Sequence, residues 1–318
     1  MSHSRRDFIR LCAAAAAGVG LTQGLSPLVH EIFAAVLEGT RPPVLWLQGQ
    51  ACTGCTVTLL NSVQPSVANL LLKIISLDYQ PTVMAAEGEQ AWECLLETAR
   101  ASRGRYILAV EGSIPVNWEG RTCVIAERDG HHITMLEAVR QLAPGAAVTL
   151  ALGTCAAYGG IPAARGSQTG AMGVNNLLKR YGLRAPVINV PGCPPHPDWI
   201  VGSLLLALQA IDAGMLDAFL KLRLDSAGRI SWFYPNVHIN CPYLPDFESG
   251  RYCRTLTDKR GCRFVLGCKG PRTACTSWKT GWNGHVNWCI ANATCVGCTS
   301  PEFPDGTSPF YANPEVIW

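Results

Sequence analysis

The feature that most constrains this chain is a group of cysteines near the C-terminus. Residues 262–298 contain six cysteines, and an H-x-x-C pair precedes them; the eight residues are His238, Cys241, Cys262, Cys268, Cys275, Cys289, Cys295 and Cys298. The segment is short of aliphatic residues and rich in Gly, Asn, Lys and Trp, so apolar burial cannot fix its shape. Bonds between thiolates and metal ions supply folding free energy where burial does not. These eight side chains are enough for two sites of four ligands each. Sites rich in thiolates indicate zinc or iron–sulfur centres.

The N-terminus argues against the alternative, a disulfide framework. Residues 4–9 read S-R-R-D-F-I, and the mildly apolar run at 11–21 that follows is too short to span a membrane. This pattern predicts a twin-arginine export signal that is cleaved near residue 35. Such signals are typical of proteins that fold and take up cofactors in the cytoplasm. We therefore expect metallated cysteines and a periplasmic location; of the 15 cysteines, Cys12 is removed with the signal, which leaves 14.

Length and charge narrow the class of protein. The 318 residues are long enough for two domains. The 26 Lys and Arg residues nearly balance the 23 Asp and Glu residues, and no basic run occurs, which argues against nucleic acid as a partner. No second apolar stretch has the length of a membrane span, so we expect no transmembrane anchor in the mature chain.

Short apolar runs alternate with helical patterns in the first two thirds of the chain. Four runs predict buried parallel strands, at residues 44–47, 106–110, 147–152 and 187–190. Four other segments predict helices, at residues 66–75, 90–103, 135–142 and 198–212. Alternation of this kind is typical of an α/β fold with a flavodoxin-like, doubly wound parallel sheet and helices on both faces.

Four further cysteines follow three of these strands directly. Cys52 and Cys55 come after the first strand, Cys155 after the third and Cys193 after the fourth. The carboxyl ends of parallel strands meet at one edge of a sheet, where open α/β sheets build their sites, so we expect four thiolates there. Buried structural cysteines and a redox dithiol at the C-x-x-C are the alternatives. If Cys52 and Cys55 were a redox dithiol, Cys155 and Cys193 would have no role.

These motifs together resemble a known family, the small, electron-transferring subunits of the nickel–iron hydrogenases, and within it the periplasmic [NiFeSe] type. The resemblance rests on the export signal, C-T-G-C at 52–55, G-T-C-A-A-Y-G-G at 153–160, P-G-C-P-P-H-P-D-W at 191–199 and the C-terminal cysteines. It implies a flavodoxin-like domain followed by a mostly irregular, cysteine-rich iron–sulfur domain. We place the signal at 1–35, the first domain at 36–225 and the second at 226–318.

The ligands of the family, carried over position by position, divide these residues into three sets. The proximal set, nearest the active site of the partner subunit, is Cys52, Cys55, Cys155 and Cys193. The distal set, with the histidine that is the hallmark of the family, is His238, Cys241, Cys262 and Cys268. The medial set is Cys275, Cys295 and Cys298, and Cys289 can complete it.

The medial set departs from the pattern of many relatives. They have proline in place of Cys289 and hold a three-iron [3Fe-4S] cluster. A fourth thiolate is the usual complement of [4Fe-4S], so we predict three [4Fe-4S] clusters. The alternative is that Cys289 is a spare thiol. Gly54 and Gly160 stand where oxygen-tolerant members have two extra cysteines, so the special proximal cluster of those members is not expected.

The resemblance also implies a division of labour. H2 is split at a Ni–Fe site in the large subunit of a heterodimer, and this chain conducts the electrons in the order proximal, medial, distal. They leave for an external acceptor at the surface around His238. A periplasmic multihaem cytochrome c is the acceptor that we expect.

Three other interpretations are open. The chain has a C-x-x-C near each end and could bind the Ni–Fe site itself, although the residues before each pair differ from those of large subunits. A related electron-transfer subunit of respiratory complex I resembles only the first domain. A zinc-binding scaffold would be colourless, whereas iron–sulfur clusters give a brown protein.

Several other residues match no ligand motif. His131 and His132 follow a predicted surface turn and are expected to be solvated. Cys94, Cys123 and Cys253 are expected to be buried or unligated thiols.

Overall fold

The computed structural model describes residues 41–281 and 293–312. The predicted export signal and the predicted ligand Cys289 lie outside these residues.

The described residues form seven strands in two sheets. The strands are β1 (Pro43–Gln48), β2 (Ser76–Tyr79), β3 (Ile107–Glu111), β4 (Val124–Arg128), β5 (His131–Thr134), β6 (Val148–Leu152) and β7 (Val187–Val190). Five of them build a parallel sheet in the order β2-β1-β3-β6-β7, while β4 and β5 pair as an antiparallel hairpin. This is the flavodoxin-like order, with its topological switch point between β1 and β3. The predicted fold class is confirmed.

Helices cover both faces of the sheet. Their bounds are α1 (Gly54–Leu60), α2 (Val67–Asn69), α3 (Gly88–Ala101), α4 (Met135–Leu142), α5 (Gly153–Tyr158), α6 (Val174–Arg180), α7 (Pro197–Asp212), α8 (Leu216–Arg223), α9 (Leu244–Glu248) and α10 (Ser277–Thr280). On one face Trp199 and Leu204 of α7 join the core, and on the other face Trp92 and Leu95 of α3 do so. β3, β6 and β7 are buried along their whole length, as their continuous apolar sequences predict.

Local sequence explains where the helices begin. The Oγ1 atom of Thr134 accepts a hydrogen bond of 3.2 Å from the backbone N–H of Glu137, which caps α4 at its predicted first residue. α7 begins at Pro197, a position where the missing N–H of proline costs no helical hydrogen bond.

The structure adds the strands β4 and β5 and several helices to the predicted elements, and two segments show why the prediction fell short. Strand β2 was missed because it lies at the edge of the sheet and carries the polar residues Ser76 and Asp78, so no apolar run marks it. Residues 66–75, predicted as one α-helix, form the short α2 and then a π-helical turn, Leu70–Ile74. The turn closes with a 3.1 Å hydrogen bond from the N–H of Ile75 to the carbonyl of Leu70.

The β4–β5 hairpin explains the two adjacent histidines. The chain turns at Asp129 and Gly130, which both have positive φ, as the predicted turn requires. His131 and His132 begin β5 and are exposed, and His132 Nε2 lies 3.8 Å from a carboxylate oxygen of Glu127. They are solvated, as expected.

After α8 the described residues have little regular structure. It contains the short α9 and α10 and 3₁₀ turns at Ser231–Phe233, Phe264–Leu266 and Gly270–Arg272. This part packs on the first domain: the Tyr234 hydroxyl donates to the carbonyl of Pro191 at 2.9 Å, and Trp199 Nε1 donates to Thr276 Oγ1 at 2.8 Å. None of the described helices combines the length and apolar character needed to cross a bilayer.

Candidate metal centres

The proximal set gathers at the carboxyl edge of the sheet. Cys52 and Cys55 follow β1, with Cys55 in the first turn of α1; Cys155 lies in α5 directly after β6, and Cys193 follows β7. Thr53, between the first two cysteines, has a left-handed φ of 63°. This conformation is rare for a β-branched residue and turns the chain sharply from the strand into α1.

The four sulfur atoms of the proximal set lie close enough to influence one another. Burial raises the pKa of Cys55 well above its usual range, and negative charge on Glu111, Cys155, Cys52 and Cys193 raises it further. Burial and the neighbouring thiolate of Cys193 raise the pKa of Cys155 to about 12. No disulfide joins any of these four residues. The structure thus brings the predicted proximal residues together as thiols.

Glycines leave the space that these sulfurs occupy. A Cβ atom at Gly153 would stand 2.6 Å from Cys55 Sγ, and one at Gly160 would stand 2.8 Å from Cys155 Sγ. A Cβ atom at Gly54 would lie 3.0 Å from Cys52 Sγ. Larger residues at Gly153 or Gly160 would have to displace a sulfur.

Sequence reasoning missed one residue of this site, Glu111. It ends β3 and is buried, with 1% of its surface exposed. Its Oε1 atom accepts hydrogen bonds from the backbone N–H groups of Cys55 (3.0 Å) and Thr56 (3.4 Å). Its Oε2 atom accepts from Trp46 Nε1 (3.0 Å), Gln48 Nε2 (3.2 Å) and Thr56 Oγ1 (2.6 Å). A carboxylate surrounded by donors therefore anchors the cysteine loop to the sheet. An acidic residue that ends a buried apolar strand was the available signal.

The cysteines of the predicted distal set also meet. Negative charge on Cys241 contributes to the raised pKa of Cys262, and charge on Cys262 to that of Cys268; burial is the main cause in both. The sulfurs accept backbone hydrogen bonds, including one of 3.4 Å from the N–H of Tyr243 to Cys241 Sγ. His238 is half-buried, and its ring meets Phe247 edge-on at 4.5 Å between centroids.

The three described cysteines of the medial set lie deeper. Burial raises the pKa of Cys275 to about 12, and charge on Cys295 adds to the shift. Charge on these two residues likewise raises the pKa of Cys298, after burial. Ser277 Oγ lies 3.2 Å from Cys275 Sγ. Cys289 lies outside the described residues, so its place in this set stays a prediction.

The three sets contact one another in series. Cys193 of the proximal set lies close enough to Cys298 of the medial set for its backbone N–H and its thiolate both to affect the pKa of Cys298. The Thr154 hydroxyl, beside Cys155, donates to the carbonyl of Cys298. At the other end, charge on Cys295 raises the pKa values of Cys268 and Cys241. The medial set lies between the other two.

The chemistry of the donors fits iron–sulfur clusters. Thiolates gathered in a buried pocket raise one another's pKa, and cationic iron relieves this cost because it stabilises the ionised form. In the part of the chain that the structure describes, no three His, Cys, Asp or Glu side chains are arranged to hold one metal ion. A [4Fe-4S] cluster takes each thiolate on a different iron, so a set of four thiolates can complete one cluster.

The remaining described cysteines belong to none of the three predicted sets. Cys94 is exposed, and Cys123 is half-buried with a pKa that burial raises to about 11. Cys253 is buried, and its thiol donates to the carbonyl of Gly261 at 3.0 Å. It holds a loop rather than a metal.

Comparison with known proteins identifies the family of this chain. A family model described as "NADH ubiquinone oxidoreductase, 20 Kd subunit" matches residues 52–207, and a model of the C-terminal part of the NiFe/NiFeSe hydrogenase small subunit matches residues 233–311. The chain is 47% identical to the periplasmic [NiFeSe] hydrogenase small subunit of Desulfomicrobium baculatum, over 98% of this chain and 99% of the relative. It is 38% identical to the periplasmic [NiFe] hydrogenase small subunit 1 of Nitratidesulfovibrio vulgaris, over 98% and 93%.

A solved structure gives the same result. The recombinant [NiFeSe] hydrogenase of Desulfovibrio vulgaris Hildenborough, in the oxidised state, superimposes with a TM-score of 0.85 and 54% identity over 87% of this chain and 99% of that chain. The complex I family matches only the first domain, as that alternative implied. The names of the relatives confirm the predicted periplasmic location and hydrogenase class. The chain belongs to the family of NiFe/NiFeSe hydrogenase small subunits.

Proposed function

We propose that this chain relays electrons between the Ni–Fe site of a large subunit, where H2 is interconverted with two protons and two electrons, and an external acceptor. Three iron–sulfur clusters, held by the proximal, medial and distal sets, would supply one-electron redox chemistry along the way. The observation that carries the proposal is the serial contact of the sets. The hydroxyl of Thr154, beside Cys155, donates to the carbonyl of Cys298, and charge on Cys295 affects the pKa of Cys268 on the far side.

We propose [4Fe-4S] clusters at all three sites. The proximal set offers four thiolates, and the distal set offers three and the imidazole of His238. The medial set offers four if Cys289 belongs to it. Backbone donors to the sulfurs, such as the N–H of Tyr243 on Cys241, stabilise the more negative, reduced state and so raise the reduction potential.

The large subunit would bind where the proximal set reaches the surface. Cys52 is exposed although Cys55 is buried. Four exposed apolar side chains lie in the segments that carry the proximal cysteines: Val57, Leu60, Val63 and Ile161. Apolar surface beside a metal site fits an obligate interface, for which we expect more than ~2,000 Å² of buried area.

The external acceptor would bind at the other end of the series. His238 is half-buried and its neighbour Ile239 is 71% exposed, so this end is open to a partner. A periplasmic multihaem cytochrome c stays our proposed acceptor. The domain boundaries at 36–225 and 226–318 are also proposed; the separate family matches at 52–207 and 233–311 support them.

Export by the twin-arginine route completes the proposal. Replacement of Arg5 and Arg6 by lysine should leave cofactor assembly intact and retain the protein in the cytoplasm, because an export receptor reads the pair. Normal periplasmic activity of this variant would refute the assignment.

The relay is tested with Cys298→Ala in the purified heterodimer. We expect H2-driven dye reduction to fall at least about tenfold, while hydrogen–deuterium exchange at the partner site continues. The matched control is Cys94→Ala, which removes an exposed thiol outside the three sets. Undiminished dye reduction by Cys298→Ala would show that electrons do not pass through the medial set.

A further inference from the structure

The segment that carries the three cysteines of the distal set holds a concentration of positive charge, and of its cations only Arg263 is buried. Residues 241–272 hold seven of the chain's 26 Lys and Arg residues and three of its 23 Asp and Glu residues. The excess of four positive charges is larger than the net charge of +3 of the entire chain. The positive charge of this protein is therefore local, and it lies at the end of the chain's series of cysteines.

Three of these cations form an exposed group that we call the basic rim: Arg254, Lys259 and Arg260. Among the described residues, no carboxylate forms an ion pair with Lys259 or Arg260. Asp258 lies near Arg254, but its carboxylate already accepts hydrogen bonds from two backbone N–H groups of the loop, those of Arg254 (2.7 Å) and Thr255 (3.1 Å). With the charge of Asp258 counted against that of Arg254, the rim keeps a net positive charge from Lys259 and Arg260.

The acidic residues of the same segment, 241–272, offset little of the positive charge of the rim. Asp246 is mostly buried and forms an ion pair of 2.8 Å with Arg251. Glu248 is the one exposed carboxylate of the segment outside these pairings. A partner approaching from solvent meets a surface of net positive sign.

The backbone fixes the rim against a predicted ligand. The N–H of Cys253 donates to the carbonyl of Cys262, and the N–H of Cys262 donates to that of Arg251, both at 2.9 Å. The buried thiol of Cys253 donates to the carbonyls of Gly261 (3.0 Å) and Arg260 (3.4 Å). Cys253 thus closes the loop of residues 254–260, so the rim is ordered and stands two residues from Cys262.

Apolar surface accompanies the rim. Ile239, beside His238, is 71% exposed, and Leu256 in the rim loop is 42% exposed. Tyr252 is 36% exposed, and its ring meets Phe247, the ring that contacts His238, at 6.1 Å between centroids. Apolar groups beside a charged rim are typical of interfaces in which charge steers the encounter and apolar contact completes it.

We propose that the physiological electron acceptor docks on the basic rim with an acidic patch placed next to its own redox centre. This rests on the proposed relay and adds the chemistry of the partner. Opposite charge raises the rate of encounter and orients the acceptor toward His238 and Cys262. The transfer moves one electron from this chain to the acceptor, whose oxidation state falls by one. No bond forms or breaks, and no proton is transferred. A multihaem cytochrome that fits this surface presents carboxylates around its receiving haem.

The test uses two small one-electron acceptors of opposite charge, the ferricyanide trianion and the hexaammineruthenium(III) trication, with the purified heterodimer under H2. The variant is the pair Lys259→Glu and Arg260→Glu. Its matched control is the pair Lys179→Glu and Arg180→Glu, which changes an adjacent, exposed Lys–Arg pair of α6 in the first domain. Each reduction rate is divided by the hydrogen–deuterium exchange activity of the same preparation.

We expect the rim variant to reduce ferricyanide about tenfold more slowly than the control at low ionic strength and to reduce the ruthenium complex no more slowly. The difference should shrink as salt screens the charges. Equal ferricyanide rates in the two variants, or an equal fall with both acceptors, would overturn the proposal.

His238→Ala separates this proposal from the relay on which it rests. If it slows reduction of both acceptors while charge reversal changes neither, the relay stands and the acidic partner is refuted. If it leaves both rates unchanged, the exit at His238 is itself wrong and the rim has no role.

Discussion

The carboxylate of Glu111 accepts a 3.0 Å hydrogen bond from the backbone N–H of Cys55 and so ties a predicted cluster ligand to the central strand of the sheet. Glu111 is buried, and its partners Trp46, Gln48 and Thr56 also donate to it. Because strands β1 and β3 are adjacent, the site and the sheet are locked together at the switch point.

Replacing Glu111 by glutamine should loosen this anchor. The amide nitrogen would face at least one of the donors, and a buried donor without an acceptor costs about 1–3 kcal/mol. We expect a lower midpoint of thermal unfolding and less iron retained in the heterodimer. The reduction potential of the proximal centre should rise because a nearby negative charge is lost, and EPR-monitored titration measures it.

Glu93→Gln is the control for this change, because it removes the same charge from an exposed position of α3. Equal potentials and unfolding midpoints in Glu111→Gln and Glu93→Gln would show that Glu111 does not position the ligand loop.

Gly153→Ala tests the space around the proximal sulfurs. Its Cβ would stand 2.6 Å from Cys55 Sγ, closer than such atoms approach, so the thiolate must move. We expect loss of most of the proximal cluster, seen as reduced iron content and a missing EPR signal in the reduced protein.

The control for the backbone strain is Gly182→Ala. Gly182 has φ 64°, against 84° for Gly153, and an added Cβ there meets nothing within 4 Å. Both substitutions strain the backbone, and only one displaces a sulfur. A similar loss of iron in the two variants would attribute the effect to strain alone.

His238→Ala should slow electron exchange with the external acceptor by removing the imidazole that we predict to be a ligand at the exposed end of the series. Hydrogen–deuterium exchange needs no external acceptor and serves as the control. If both activities fell together, His238 would be needed for assembly rather than for electron exit.

Cys289→Pro tests the composition of the medial cluster. With Cys289 as the fourth ligand, oxidised wild-type protein should lack the sharp EPR signal of a three-iron cluster, because oxidised [4Fe-4S]²⁺ is silent. The signal should appear in Cys289→Pro. A near-stoichiometric three-iron signal in intact wild-type protein would refute the assignment.

The sequence predicted that the four proximal cysteines gather at one edge of the sheet because of one topological rule. Cys52, Cys55, Cys155 and Cys193 each follow a parallel strand, and such strands deliver their carboxyl ends to one edge. Glu111 was missed because its role depends on side chains that meet only after β1 and β3 pair. Cys253 was expected to be a spare thiol; that it closes the basic loop follows from carbonyl positions that no sequence pattern records. In the irregular second domain the order of the sets came from the family resemblance, since neither period nor propensity constrains such a chain.

Iron and acid-labile sulfide analysis of the purified heterodimer, with EPR at controlled potential, tests the central claim most directly. Three four-iron clusters in series predict equal amounts of iron and acid-labile sulfide, in the quantity that three [4Fe-4S] clusters contain. The iron of the Ni–Fe site adds to this amount. They also predict that all three are reduced reversibly under H2. Zinc in place of iron, iron and sulfide for fewer than three clusters, or a cluster that H2 does not reduce would contradict it.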